Sequence, residues 1–197
     1  MRQTQQRTLT RIDRAIQSLY DDRLVHFQET HRRYNDLRDG WLSDALSGTP
    51  NAGTPKMKHL GFEHMVAAEL YATLQKQFTP FSVFMEYPGL QQDRIDLYVD
   101  AEIARLSYRG YIELKMYYSK DEKAYRHDFD KLLQMIESDP DAVAVQVHFE
   151  LYDNSQQPNH RLIDGYAASL DKSEYWNNVT VIGGDKFHFY RFAYGKK

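Results

Sequence analysis

The sequence contains no cysteine, which excludes disulfide bonds, thiol catalysis and thiolate metal sites. It has no apolar run of membrane-spanning length, and its first residues (MRQTQQRTLTR) lack the apolar core of a signal peptide. Its eight histidines do not have metal-ligand spacing, and neither a glycine-rich phosphate loop nor a Ser-His-Asp order is evident. These absences predict a cytoplasmic protein without a membrane partner and argue against zinc.

The 197 residues are enough for one domain, with or without an extension. The hydrophobic fraction of 42% and the charged fraction of 27% are typical of a folded globular protein. The net charge of -3 gives no overall nucleic-acid signature, but residues 1–38 hold eight arginines against five acids. This segment is either a solvated helix face or a local basic surface that contacts phosphate.

Apolar residues recur at steps of three and four from Leu9 to Leu46, which predicts one long helix or two helices. We assign residues 1–47 to a helical arm. The arm either packs on the following domain or pairs with a second copy, giving a homodimer. Glycines and prolines in residues 48–58 predict a linker loop.

Residues 59–197 read as an α/β domain, because segments with helical and with alternating apolar periodicity follow one another. Helices are predicted at His59–Phe78 and Lys120–Ser138, with a further helix in PNHRLIDGYAASLDKSEYW. Strands are predicted at Phe81–Tyr87, Arg94–Asp100, Ser107–Ser119 and Ala142–Tyr152, followed by a closing pair in VTVIGG and KFHFYRFAY.

The stretch YIELKMYY carries the candidate chemistry. Because side chains alternate along a strand, Glu113 and Lys115 share one face and the apolar residues share the other. Asp96 lies in the preceding strand and can reach the same cleft, whereas Asp93 has the opposite strand parity. Two converging carboxylates repel unless a divalent cation lies between them, and an ammonium beside them can orient a metal-bound water. This combination is suited to metal-assisted phosphodiester hydrolysis.

RIDLYV followed by YIELKMYY resembles the PD-(D/E)XK nuclease superfamily over roughly His59–Tyr152. The resemblance implies a restriction-endonuclease-like fold, with a mixed central sheet flanked by helices, and Mg²⁺-dependent hydrolysis of DNA, with Mn²⁺ as a substitute. It also implies that Asp96, Glu113 and the main-chain carbonyl of Leu114 hold the metal and that Lys115 positions the water. LGFEHMV matches the helix motif of resolvase-like members at Glu63, which would support the metal directly or through water. Glu86 stands where other members place an acid on the preceding strand, and it is either a metal ligand or a polar edge residue.

Other charged residues receive weaker assignments. Lysines and arginines after the motif could contact a phosphate backbone, but interspersed acids indicate an ordinary mixed surface; the residues are Lys120, Asp121, Glu122, Lys123, Arg126, Asp128, Asp130 and Lys131. His148, in an apolar strand, is predicted to be a packed histidine.

Two alternatives to the nuclease remain open at this stage. One is a nuclease-fold protein without catalysis that binds or assembles through its helical arm. The other is an interaction protein in which Glu113 and Lys115 are a solvated pair of strand charges, and this reading requires Asp96, Glu113 and Lys115 not to converge.

Overall fold

The structure, a computed structural model, describes residues 1–22, 56–79, 81–89, 94–116, 122–151, 161–183 and 187–197. Within these ranges the helices are α1 (residues 3–22), α2 (Lys56–Gln77), α3 (Glu122–Ser138) and α4 (Arg161–Ser169). The strands are β1 (Val83–Pro88), β2 (Arg94–Ile103), β3 (Leu106–Met116), β4 (Val143–Leu151), β5 (Tyr175–Gly183) and β6 (Phe187–Lys196).

The strands form one mixed sheet in the order β1-β2-β3-β4-β6-β5. The first three strands form an antiparallel meander, and β4 pairs with β3 in parallel after the α3 crossover. β6 pairs with β4 and β5 in antiparallel fashion. The prediction of an α/β fold with a mixed central sheet flanked by helices is thereby confirmed at this coarse level.

Helices cover both faces of the sheet. One face packs on α1 and α2 through apolar side chains of alternating strand positions, including Leu97, Val99, Ile112, Val145 and Val147. The other face packs on α3 and α4 and carries mainly aromatic side chains, including Tyr98, Tyr111, Phe192 and Tyr194. Two-residue periodicity in the strands therefore builds two separate cores.

Helix α1 contributes directly to the first core. Ile12, Ile16 and Leu19 are completely buried against the sheet. Residues 3–22, the first part of the predicted arm, thus pack on the domain, which was one of the two arrangements left open. Residues 23–47 of the arm and 48–55 of the linker lie outside the described residues, and α2 begins at Lys56, within the predicted linker.

An ion pair with a buried guanidinium connects α1 to the sheet. Arg191 of β6 is 1% exposed, and its Nε and Nη2 donate to the two carboxylate oxygens of Asp13 at 2.8 and 2.9 Å. Its Nη1 donates to the carbonyl and side-chain oxygens of Asn178 in β5, at 3.0 and 2.7 Å. One guanidinium therefore connects a helix and two strands through a bidentate pair.

Most predicted elements are present with shifted ends. β3 ends at Met116 and α3 begins at Glu122, so Tyr117–Asp121 of the predicted strand and helix lie outside the described residues. The main chain of α3 stops at Ser138, because Pro140 follows two residues later. Among the described helices, none has both the length and the apolar character required to cross a bilayer.

Candidate metal site

Strands β2 and β3 place Asp96 and Glu113 side by side. The main-chain N–H of Leu114 donates to Asp96 Oδ2 at 2.8 Å, and the N–H of Asp96 donates to Glu113 Oε1 at 3.3 Å. These reciprocal bonds follow from the antiparallel register, in which Leu97 lies opposite Ile112. Two carboxylates from neighbouring strands are thus held together on the α3 face of the sheet.

Lys115 lies on the same face, two residues beyond Glu113. Its Nζ is 2.8 Å from Asp128 Oδ2 of α3, and the side chains are 22% and 7% exposed. Asp96, Glu113 and Lys115 therefore share one face of the sheet, and Asp128 lies beside the Lys115 ammonium on that face. The interaction-protein alternative needed them to be solvated and apart, whereas Glu113 is 2% exposed.

Helix α3 supplies a second lysine to the cluster. Lys131 Nζ lies 2.7 Å from Glu113 Oε1 and 3.6 Å from Asp128 Oδ1, and it donates to the carbonyl oxygen of Arg94 at 2.7 Å. Its side chain is 10% exposed. The lysine predicted to lie on a mixed charged surface is therefore part of the carboxylate cluster.

Strand β4 forms the next part of the same face. Its parallel register places Gln146 beside Glu113 and His148 beside Lys115. Both side chains are 1% exposed, and the His148 ring lies 5.1 Å from the ring of Tyr125 in α3. His148 is thus buried and packed on an aromatic ring, as predicted. Gln146, whose Nε2 donates to the Tyr125 carbonyl at 3.5 Å, was not anticipated.

Sequence reasoning treated Asp128 and Lys131 as surface charges, yet a usable signal was present. Buried apolar side chains follow α3 at helical spacing: Tyr125, Phe129, Leu132, Met135 and Ile136. Asp128, which is 5% exposed, falls inside this stripe, and Lys131 follows one turn later. An acid within the apolar stripe of a helix that follows Glu-x-Lys indicates a group turned toward the site rather than toward water.

The cluster contains three carboxyl groups and two ammonium groups. Burial, reinforced by the charges of Asp96 and Asp128, raises the pKa of Glu113 to about 9, even though Lys131 opposes the shift. Burial also raises the pKa of Asp96, against the hydrogen bond from Leu114 and the nearby lysines. At neutral pH the metal-free cluster is therefore balanced with Glu113 protonated, and a bound divalent cation would favour the ionised form of Glu113.

The donor set suits a hard divalent cation. Asp96 and Glu113 offer carboxylate oxygens, and Leu114, which follows Glu113, offers a main-chain carbonyl. These are the ligand types that Mg²⁺ and Mn²⁺ prefer. Within the described ranges, no group of three or more His, Cys, Asp or Glu side chains is arranged to hold a metal ion. The fit therefore rests on the two carboxyl groups and the main-chain carbonyl.

Glu86 occupies an unusual position in β1. Its φ of 51° lies in the left-handed region. The residue stands between two β1–β2 pairs, Met85–Leu97 and Tyr87–Ile95. Its half-exposed carboxylate lies 3.4 Å from Arg94 Nη1. Its proposed role as a metal ligand stays a prediction.

Glu63 belongs to α2, but its side chain is outside what the structure describes. The buried apolar side chains in the described part of α2 pack on the sheet face opposite Asp96 and Glu113. Its support of the metal also stays a prediction. The rival acid Asp93 lies outside the described residues.

Replacing Glu113 with glutamine is expected to stabilise the metal-free protein increasingly as the pH rises from about 5 to 9. The pKa of Glu113 is about 9 when folded and 4.5 in its unperturbed state. Folding therefore takes up a proton in this window, and the free energy of unfolding of the wild type falls as pH rises. Glutamine does not ionise, so the stability difference should grow by up to ~1.4 kcal/mol per pH unit.

Urea unfolding in EDTA at a series of pH values measures this difference. Glu102→Gln, which neutralises an exposed acid of β2, is the matched control and should show little pH dependence relative to wild type. A Glu113→Gln stability difference that stays constant from pH 5 to 9 would contradict the assignment of the raised pKa.

Comparisons of this chain with known protein families, with curated proteins and with solved structures gave no match.

Proposed function

We propose that this protein is a Mg²⁺-dependent nuclease that hydrolyses phosphodiester bonds in DNA. The observation that carries the proposal is the joint position of three groups on one sheet face. The carboxylate of Asp96 accepts a hydrogen bond from the main-chain N–H of Leu114, and that of Glu113 accepts one from the main-chain N–H of Asp96. The ammonium of Lys115 projects from the same face of β3, two residues beyond Glu113.

The order of elements supports a restriction-endonuclease-like fold as the finer assignment. A helix precedes an antiparallel meander of three strands, and a crossover helix leads to a fourth strand parallel to the third. The sequence resemblance implied this order. It also implied that the acid would lie on the second strand of the meander and Glu-x-Lys on the third, where Asp96, Glu113 and Lys115 lie.

Each residue has a defined part in the proposed reaction. Asp96, Glu113 and the carbonyl of Leu114 would hold Mg²⁺, which when bound would supply charge stabilisation for the phosphate and acidify a water. Lys115 would orient the attacking water and stabilise the negative charge that develops on the phosphate. Asp128 fixes the position of the Lys115 ammonium through the 2.8 Å ion pair.

The test is hydrolysis of DNA by the purified full chain. Single-stranded, duplex and branched DNA are each incubated with Mg²⁺, with Mn²⁺ and with EDTA. We expect cleavage of at least one form with either metal and none with EDTA. Absence of cleavage of every form with both metals would contradict the proposal.

A second candidate function follows from the ion pairs of the cluster. Both lysines already neutralise acids, Lys115 at Asp128 and Lys131 at Glu113. This favours a protein with a nuclease-type fold that binds or assembles without catalysis, since two lysines already lie where a metal ion would be needed to offset the acids. Titration with Mn²⁺ discriminates, because a module of this kind should show no binding that depends on Asp96 or Glu113.

A further inference from the structure

Lys131 takes a position that a bound cation would take. Its Nζ contacts a carboxylate oxygen of Glu113 and the main-chain oxygen of Arg94, each at 2.7 Å, and lies 3.6 Å from Asp128 Oδ1. Three oxygen atoms from β2, β3 and α3 thus surround one ammonium group. Carboxylate and carbonyl oxygens are also the ligands of Mg²⁺ and Mn²⁺.

We infer that Lys131 is the built-in counter-ion of the metal-free site and that a divalent cation and the Lys131 ammonium exclude each other at Glu113. This inference rests on the proposed function, because it assumes that Glu113 is a metal ligand. It adds a residue outside the Asp96, Glu113 and Lys115 motif that sets the metal affinity of the site.

Charge supports exclusion when a divalent ion binds Glu113 Oε1, the oxygen that Lys131 Nζ approaches to 2.7 Å. Two cations at one oxygen atom would repel strongly at a site with little water to screen them. Lysine is suited to leave, because its ammonium is a point charge on a flexible four-carbon stem.

Lys115 is paired with a different acid. Its ammonium lies 2.8 Å from Asp128 Oδ2, whereas Lys131 contacts Glu113 Oε1 and only approaches Asp128 Oδ1. When Lys131 leaves, Lys115 keeps its partner on α3. Loss of Lys131 therefore removes an ammonium group from Glu113 Oε1, which still accepts a hydrogen bond from the N–H of Asp96.

Isothermal titration of the full chain with MnCl₂ tests the inference. Lys131→Met should bind Mn²⁺ at least tenfold more tightly than the wild type. Lys131→Arg, which keeps the charge, should bind no more tightly than the wild type. Lys76→Met, which removes an exposed lysine from α2 on the opposite sheet face, should leave the affinity unchanged. Glu113→Gln in the Lys131→Met background should abolish binding.

Amine-reactive labelling of the wild type, read by mass spectrometry, gives a second measurement that needs no variant to fold. Lys131 should be protected without metal, since its side chain is 10% exposed, and should become reactive at saturating Mn²⁺. Unchanged Lys131 reactivity with Mn²⁺ bound, or Lys131→Met affinity equal to or weaker than wild type, would overturn the inference. So would failure of every variant to bind Mn²⁺.

These results separate the inference from the proposed nuclease. Tighter, Glu113-dependent binding by Lys131→Met without cleavage of any DNA would support the inference and reject the nuclease. Metal-dependent cleavage with equal Mn²⁺ affinities for Lys131→Met and wild type would reject the inference alone.

Discussion

Glu113→Gln and Lys115→Met should each lower the rate of metal-dependent DNA cleavage by at least ~10²–10³-fold, a loss typical of removing one group that stabilises charge in a transition state. Glutamine keeps the size of Glu113 but offers a neutral oxygen to the metal. Methionine keeps the stem of Lys115 and removes the ammonium that we propose orients the attacking water. A gel assay under single-turnover conditions with Mg²⁺ measures both losses.

Two exposed residues provide matched controls for these variants. Glu102→Gln changes an acid of β2, and Lys76→Met changes a lysine of α2, both outside the cluster. Each should cleave at the wild-type rate. Thermal unfolding verifies that each variant is folded. If folded Glu113→Gln or Lys115→Met cleaves DNA at the wild-type rate, the cleavage comes from another site or from a contaminant.

Asp13→Ala should lower the free energy of unfolding by ~2–4 kcal/mol, because it leaves a buried guanidinium without its carboxylate. Arg191 is 1% exposed and makes a bidentate pair with Asp13. Partial burial raises the pKa of Asp13 despite the opposing charge of Arg191, and the Asp13 side chain keeps 30% of its surface exposed. Urea unfolding at neutral pH measures the loss.

A paired apolar replacement separates the contribution of the ion pair to stability from that of the packing around it. Asp13→Leu combined with Arg191→Met replaces both charges with apolar groups and should recover most of the stability lost by Asp13→Ala. Asp21→Ala, which changes an exposed acid near the end of the described part of α1, should be nearly neutral. Equal stability of Asp13→Ala and Asp21→Ala would mean that α1 does not depend on this pair.

Strand periodicity explains how much of the site was predictable. A two-residue repeat alone places Glu113 and Lys115 on one face of β3 and Leu114 on the other. In β2 it places Asp96 and Leu97 on opposite faces of the sheet. Adjacent pairing of β2 and β3 then follows from the short connection between them. These rules act on neighbouring residues and neighbouring strands, so one sequence is enough to apply them.

The contribution of α3 could not be predicted in the same way. Which face of α3 meets which strand depends on the crossover and on packing between Tyr125, Phe129 and the aromatic face of the sheet. Charges on that helix therefore appeared to be ordinary surface charges, although Asp128 and Lys131 are buried against Lys115 and Glu113. The apolar stripe signalled burial of Asp128, but it could not identify its partner.

The position of α1 was open for a related reason. An amphipathic helix buries its apolar face equally well against a sheet of its own chain or against another copy. Only the packing of Ile12, Ile16 and Leu19 in the core, together with the Asp13–Arg191 pair, distinguishes the two for residues 3–22.

A crystal of the protein soaked in Mn²⁺ would show whether Asp96 and Glu113 bind a metal ion, because Mn²⁺ can be located by its anomalous scattering. We expect a peak within bonding distance of carboxylate oxygens of both Asp96 and Glu113, about 2.0–2.6 Å for hard cations. We also expect Lys131 Nζ to have moved away from Glu113 Oε1. A fully soaked crystal with no peak between Asp96 and Glu113, and with Lys131 still at Glu113, would contradict both the metal site and the role of Lys131.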